Sequence, residues 1–124
     1  MQPYSRHIPL IFYGEVIRKE FRGTRIHKAG GHHDIPATLL KQLGINPTTF
    51  SWSKNLLNSY TASFAAWQFE ETAAWMEGSK WVVYSYNIRK VVTHSFPLNL
   101  NEQDTLVMKA KRYMQGLYGQ YQAY

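Results

Sequence analysis

Apolar residues change their spacing several times along the chain, and each change marks an expected element. Residues 8–13, IPLIFY, form an apolar run too brief for a helix, so a strand is expected there. EVIRKEF and TRIHK flank Arg22-Gly23 and read together as a β-hairpin whose glycine supplies the turn. Val16, Ile17 and Phe21 do not alternate cleanly, which leaves a helix over 15–21 as the competing reading.

Leu39, Leu40 and Leu43 then make a short helical stripe. Asp34 stands where a carboxylate can cap the helix, Pro36 falls in its first turn, and Gly44 provides a left-handed stop with Ile45 folded back onto the last turn. INPTTFSWS reads as a loop. A long helix is expected from about Ser53 to Glu77, because Tyr60, Phe64, Trp67 and Ala74 recur at helical spacing. Phe69, Ala73 and Met76 add a second stripe, leaving Ser63, Glu70 and Glu77 as a narrow wet face. A helix apolar over most of its circumference belongs in the middle of the domain; Gly78 ends it.

KWVVYSY and RKVVTHSF alternate as two strands, and Pro97 closes the pair. Asn87-Ile88 between them is not a favoured hairpin turn, so direct pairing is left open. Asn101 with Asp104 resembles a cap for a final helix, whose inner face carries Leu106, Ala110, Tyr113, Leu117 and Tyr121. The expectation is a single α+β domain over residues 1–124. It has an N-terminal β-hairpin with short strands, a short helix, a long buried helix, two further strands, and a C-terminal amphipathic helix packed on an antiparallel sheet.

Composition narrows the chemistry. At 124 residues and 44% hydrophobic the chain can bury a core, and without cysteine it forms no disulfide, thiolate nucleophile or Cys-ligated centre. No segment is long enough for a membrane span and the N-terminal apolar patch is too short for a signal peptide, so a soluble, cytoplasmic protein is expected. The net charge of +6 favours anionic partners. Nucleic acid comes first, then an acidic protein surface or a phosphorylated small ligand. Arg18, Lys19, Arg22, Arg25 and Lys28 are expected to line the N-terminal hairpin and meet phosphate, with Lys109, Lys111 and Arg112 contributing near the end.

Candidate chemistry centres on IHKAGGHHDIP, residues 26–36. Imidazole exchanges protons near neutral pH and ligates transition metals. If Gly30-Gly31 turns the chain, His27, His32 and His33 approach one another while Asp34 orients a ring or joins a metal shell. Arg22, Arg25 and Lys28 would then hold a phosphate while a histidine moves protons. The same residues also read as structure: a capping aspartate, turning glycines and an exposed polar loop.

GGHHDIPATLLKQLGINP resembles the first half of the active-site motif of HNH-type nucleases, small polymorphic-toxin branches included. The resemblance implies His33 as general base and His32 or Asp34 as ligands of a divalent metal. It covers residues 30–47; the later asparagine and closing helix histidine of that family have no clear counterpart, since only His94 follows His33, on an expected strand.

Four tryptophans, nine tyrosines and six phenylalanines are many for this length. Trp67, Phe64 and Trp75 are expected in the core. Tyr84, Tyr86, Trp52 and Trp81 either stack on bases, with Arg89 and Lys90 meeting phosphate, or pack beneath the last helix. Gly116 and Gly119 either fray the final helix or let another chain approach, making a homodimer through it. No Gly-rich phosphate loop or G-x-S-x-G is present.

The leading expectation is a small basic nucleic-acid-binding protein, phage- or mobile-element-like in size and character. The alternatives are a nuclease with His33 as proton acceptor, His32 or His27 assisting and Arg25 stabilising charge, and an inhibitor or anti-defence interaction protein.

Overall fold

A computed structural model describes residues 7–123. Its architecture is α+β: a short helix α1 (Ile35–Gln42), four strands β1 (Phe64–Phe69), β2 (Thr72–Glu77), β3 (Lys80–Ser85) and β4 (Lys90–His94), and a long helix α2 (Leu100–Gln122). The strands form an antiparallel meander in the order β1-β2-β3-β4, and α2 packs across one face, chiefly over β2.

The segment expected to be a long helix is a loop followed by the β1–β2 hairpin. Its apolar residues divide between two sheet faces. Ala66 pairs with Trp75 and Trp75 with Val82, and these belong to the core cluster under α2. Trp67, Ala74 and Val83 form a row on the opposite face, where Ala74 is also fully buried. Strands apolar on both faces lose the two-residue period, so their composition imitates a buried helix. The reversal also lacks a turn residue: Glu70 adopts the left-handed region at φ 49° with no Gly, Asn or Asp there.

The N-terminal strands are likewise corrected. Residues 8–13 carry no strand, and the expected hairpin around Gly23 is an irregular loop with a single 3₁₀ turn at Lys19–Phe21. That loop is closed by its own side chains. Arg22 donates through Nε to Ile17 O at 2.8 Å and through Nη2 to Glu15 O at 2.8 Å, and Thr24 Oγ1 donates to Phe21 O at 2.6 Å. Local side-chain bonds of this kind compete with a strand ladder for the same backbone.

Elsewhere the expected elements are present. Gly44, at φ 74°, stops α1: its N–H donates to Lys41 O at 3.3 Å while Ile45 N–H reaches Leu40 O at 2.9 Å. β3 and β4 pair directly, with a bulge between Val83 and Tyr84, and Arg89 at φ 53° completes the turn that Asn87-Ile88 did not signal. The cap of α2, Asn99, lies two residues before the expected one. Asn99 Oδ1 accepts from Glu102 N at 2.9 Å and Glu102 Oε2 accepts from Asn99 N at 3.1 Å. Leu106, Val107, Ala110, Tyr113 and Met114 form its buried face, whereas Tyr121 is exposed. Among the described residues no helix is long and apolar enough to cross a membrane.

Candidate functional site

The Gly-Gly turn lies against the open edge of the sheet, where β1 begins. Ala29 N–H donates to Ser63 Oγ at 2.9 Å, and Lys28 Nζ donates to the carbonyls of Asn58 and, at 2.7 Å, Thr61. Neither Gly30 nor Gly31 has a positive φ. Their value is a missing Cβ: one at Gly30 would stand 2.6 Å from Leu56 Cδ2, and one at Gly31 would meet the His33 ring and, at 3.3 Å, Ala66 O. Close approach, not turn conformation, requires glycine here.

Residues 32–34 make a 3₁₀ turn that leads into α1 and swings Asp34 into the interior. Asp34 is fully buried, and its side chain does not cap α1 as expected. Its carboxylate turns back, accepting from Gly31 N at 2.9 Å, from Lys54 N at 3.0 Å and from the Lys54 ammonium. Thr38, one turn on, donates to Asp34 O at 2.7 Å and accepts from Leu56 N at 2.9 Å. Asp34 and Thr38 thereby tie α1 to the 54–56 loop. A buried carboxylate needs such a donor set, because without it the charge is strongly disfavoured.

Lys54 sits 4.2 Å above the Phe64 ring centroid as well as beside Asp34. Burial pulls its ammonium below the usual lysine range, and the bond and charge of Asp34 offset part of that. Tyr113, from the middle of α2, closes the site from the other side. Its hydroxyl donates to Trp52 O at 2.6 Å, and its ring meets Trp52, Phe64 and Trp75 edge-on. Burial, then the Asp34 charge, raises the Tyr113 hydroxyl well above its ordinary range.

His33 occupies the space between these walls, 5.3 Å from the Tyr113 ring centroid and tilted to it. Its Nε2 is 3.7 Å from Asp34 Oδ1, beyond hydrogen-bond reach, and is the buried side-chain atom without a partner among the described residues. Burial lowers the imidazole from its usual value; Asp34 opposes this, while Lys54 and His32 add to it. The ring is therefore neutral at physiological pH, with one nitrogen aimed at a carboxylate and 24% of its side chain exposed. Asp34 faces this ring without bonding to it, and an imidazole that stays neutral is able to accept a proton.

Against family models, curated proteins and solved structures, this chain finds no match.

The other candidates are dispersed. His32 is exposed yet near enough for its charge to act on His33; His27 and Arg25 are exposed and are not among the groups that do. No cluster of three or more His, Cys, Asp or Glu side chains able to hold a metal occurs among the described residues, and Asp34 is engaged by Gly31 and Lys54. His94, the histidine that follows His33, lies on β4 with Nδ1 2.8 Å from Ser95 O and Nε2 3.4 Å from Gln103 Nε2.

The N-terminal cations do not share a hairpin face. Arg18 Nη2 donates to Lys41 O at 3.1 Å, at the carbonyl end of α1, where a cation is favoured. Arg22 closes its own loop and Lys28 clamps residues 58–61. Lys19, Arg25, Arg89 and Lys90 are exposed. The site's chief unforeseen members are Lys54, Thr38 and Tyr113. Lys54 did carry a signal, being the lone cation in the acidic, apolar middle of the chain.

Proposed function

We propose that the protein binds nucleic acid, its contacts with phosphate made by surface cations that no carboxylate neutralises. The observation that carries this is the pattern of ion pairing behind the net charge of +6. Asp34, Glu77 and Glu102 pair with Lys54, Lys109 and Lys80, while no described arginine joins an ion pair. Arg25, Arg89 and Arg112 are exposed, so their charge is available to a polyanion. Arg18 and Arg22 still present a cation while donating to carbonyls.

Affinity for DNA and RNA should fall steeply between about 50 and about 200 mM salt, since each neutralised phosphate adds about 0.9 to the duplex log–log slope. Replacing Arg25 or Lys90 by alanine should lower that slope by about 1 each if both touch phosphate. Binding that is flat across this salt range ends the proposal.

A second reading rests on His33 alone. In a nuclease, its neutral ring would take a proton from the attacking hydroxyl while Asp34 steadies the resulting imidazolium and Lys54 moderates the carboxylate's charge. A chelator should leave such cleavage unaltered if no metal takes part. A folded His33→Gln protein that degrades RNA as fast as the parent removes this reading and leaves the binding proposal intact.

A further inference from the structure

Away from His33, the second half of α2 and the ends of β1 and β3 enclose an open groove of about 420 Å³. Gln68, Tyr86, Lys111, Met114, Gln115 and Tyr118 line it. Ligand sites of this size are common, but this lining is distinctive for what it leaves unused. Tyr86 and Tyr118 are 38% and 52% exposed, so two aromatic faces are offered to solvent. Tyr86 is held edge-on to Tyr84 at 5.6 Å, which fixes its ring.

Lys111 stands 3.9 Å over the Tyr84 ring and has no carboxylate partner among the described residues. Its ammonium rests on a ring face, in contrast to Lys80 and Lys109 on their carboxylates. Gln115 lines the same space, and the side-chain bond of Gln68 among the described residues is a long one, 3.4 Å to Glu70 O. Flat rings, amides and an unneutralised cation together match a nucleotide: a planar base with hydrogen-bonding edges, joined to a phosphate. Apolar ligands would leave the amides unpaired, and a simple anion would leave the rings unused.

We infer that this groove takes a single nucleotide unit, its base stacked on Tyr86 or Tyr118 and edged by Gln68 and Gln115, its phosphate near Lys111. The assignment rests on the nucleic-acid reading above and adds the class of ligand, single-stranded or free nucleotide rather than duplex. A base locked in a duplex cannot present its face to a side-chain ring without leaving the stack. The neighbouring β1–β2 turn bears Glu70 and Glu71 and joins Tyr86 through the bond from its N–H to Glu71 O at 2.8 Å. Those carboxylates repel a polyanion, so the strand leaves the groove on the Lys111 side.

The test measures anisotropy of labelled single-stranded DNA, single-stranded RNA and duplex of equal length, with adenosine and uridine monophosphates as competitors. The full chain is compared with Tyr86→Ala, Tyr118→Ala, Tyr86→Phe and Lys111→Gln. Single strands should bind more tightly than duplex, and at least one Tyr→Ala change should weaken them about tenfold to a hundredfold while sparing duplex. Tyr86→Phe keeps the ring and should behave as the parent, and Lys111→Gln should lower the single-strand salt slope by about 0.7. Monophosphates that compete as strongly as oligonucleotides, with the same loss on Tyr→Ala change, identify a free nucleotide as the ligand. Salt-dependent binding unchanged in Tyr86→Ala, Tyr118→Ala and Lys111→Gln overturns the groove but not the nucleic-acid proposal. If the parent retains neither oligonucleotide nor monophosphate at low salt, both fall.

Discussion

At position 116 the Trp52 indole lies where a side chain would begin, whereas at position 119 nothing stands within 4 Å of an added Cβ. Both glycines lie inside α2, which runs unbroken to Gln122. Gly116→Ala should therefore destabilise the protein by about 1–3 kcal/mol, the usual penalty for overpacking, despite the gain in helix propensity. Gly119→Ala should stabilise it by about 1 kcal/mol, the propensity difference unopposed. Equal responses of the two variants in urea denaturation would contradict the Trp52 contact. His33 makes a second residue-scale prediction. Because burial holds its folded-state value below the ordinary one, the unfolded chain takes up that proton first as the solution is acidified. Its contribution is complete above about pH 6.5 and is lost as pH falls from there through the folded-state value. Denaturation midpoints measured from about pH 7.5 down to about pH 5 should fall more steeply for the parent than for His33→Gln. Parallel profiles would show that the ring titrates alike in both states.

The β1–β2 hairpin is held by packing on both faces and bends through a residue ill suited to its conformation. Glu70 lies at φ 49°, where a side chain crowds its own backbone. Glu70→Gly should stabilise the protein by about 0.5–1 kcal/mol, and Glu70→Val should destabilise it, as thermal melts can determine. A loss of stability on Glu70→Gly would mean the carboxylate makes a contact worth more than the strain. This turn also explains why the hairpin was illegible. β3, β4 and α1 announce themselves through alternation or through Pro36 and Gly44, and α2 through its period. Between Phe64 and Glu77 neither alternation nor a turn residue appears, and Phe64, Trp67 and Ala74 fall at helical spacing although they occupy different strands and faces.

Over the whole molecule, the core under α2 draws its members from residue 52 onward. The N-terminal half meets that body through the His33–Tyr113 ring contact and a set of polar ties: Lys28 to Asn58 and Thr61, Ala29 to Ser63, and Asp34 with Thr38 to residues 54–56. Asp34 is the central knot. Asp34→Asn should cost about 3 kcal/mol, because it leaves the Lys54 ammonium half-buried without its counter-charge. Amides of α1 should gain more hydrogen exchange in this variant than those of β2 and β3, since the loss falls first on the half held by these bonds. Uniform acceleration across both halves would instead show a single cooperative unit. The candidate site straddles this junction, which is why only part of it was legible. His33 and Asp34 stand out in the sequence, while Lys54 and Tyr113 reach them from elements far along the chain.

The order of polar and apolar residues determined, by itself, an α+β chain, the short helix with its glycine stop, the last two strands and the long closing helix. These depend on interactions within a few residues, which a local period or a cap can report. Tertiary contact alone decided that residues 64–77 form strands, that Asp34 turns inward instead of capping, and that Arg18 and Lys28 are drawn onto carbonyls of separate, distant segments. Each of those outcomes is set by what packs against the segment, and no local pattern carries that information.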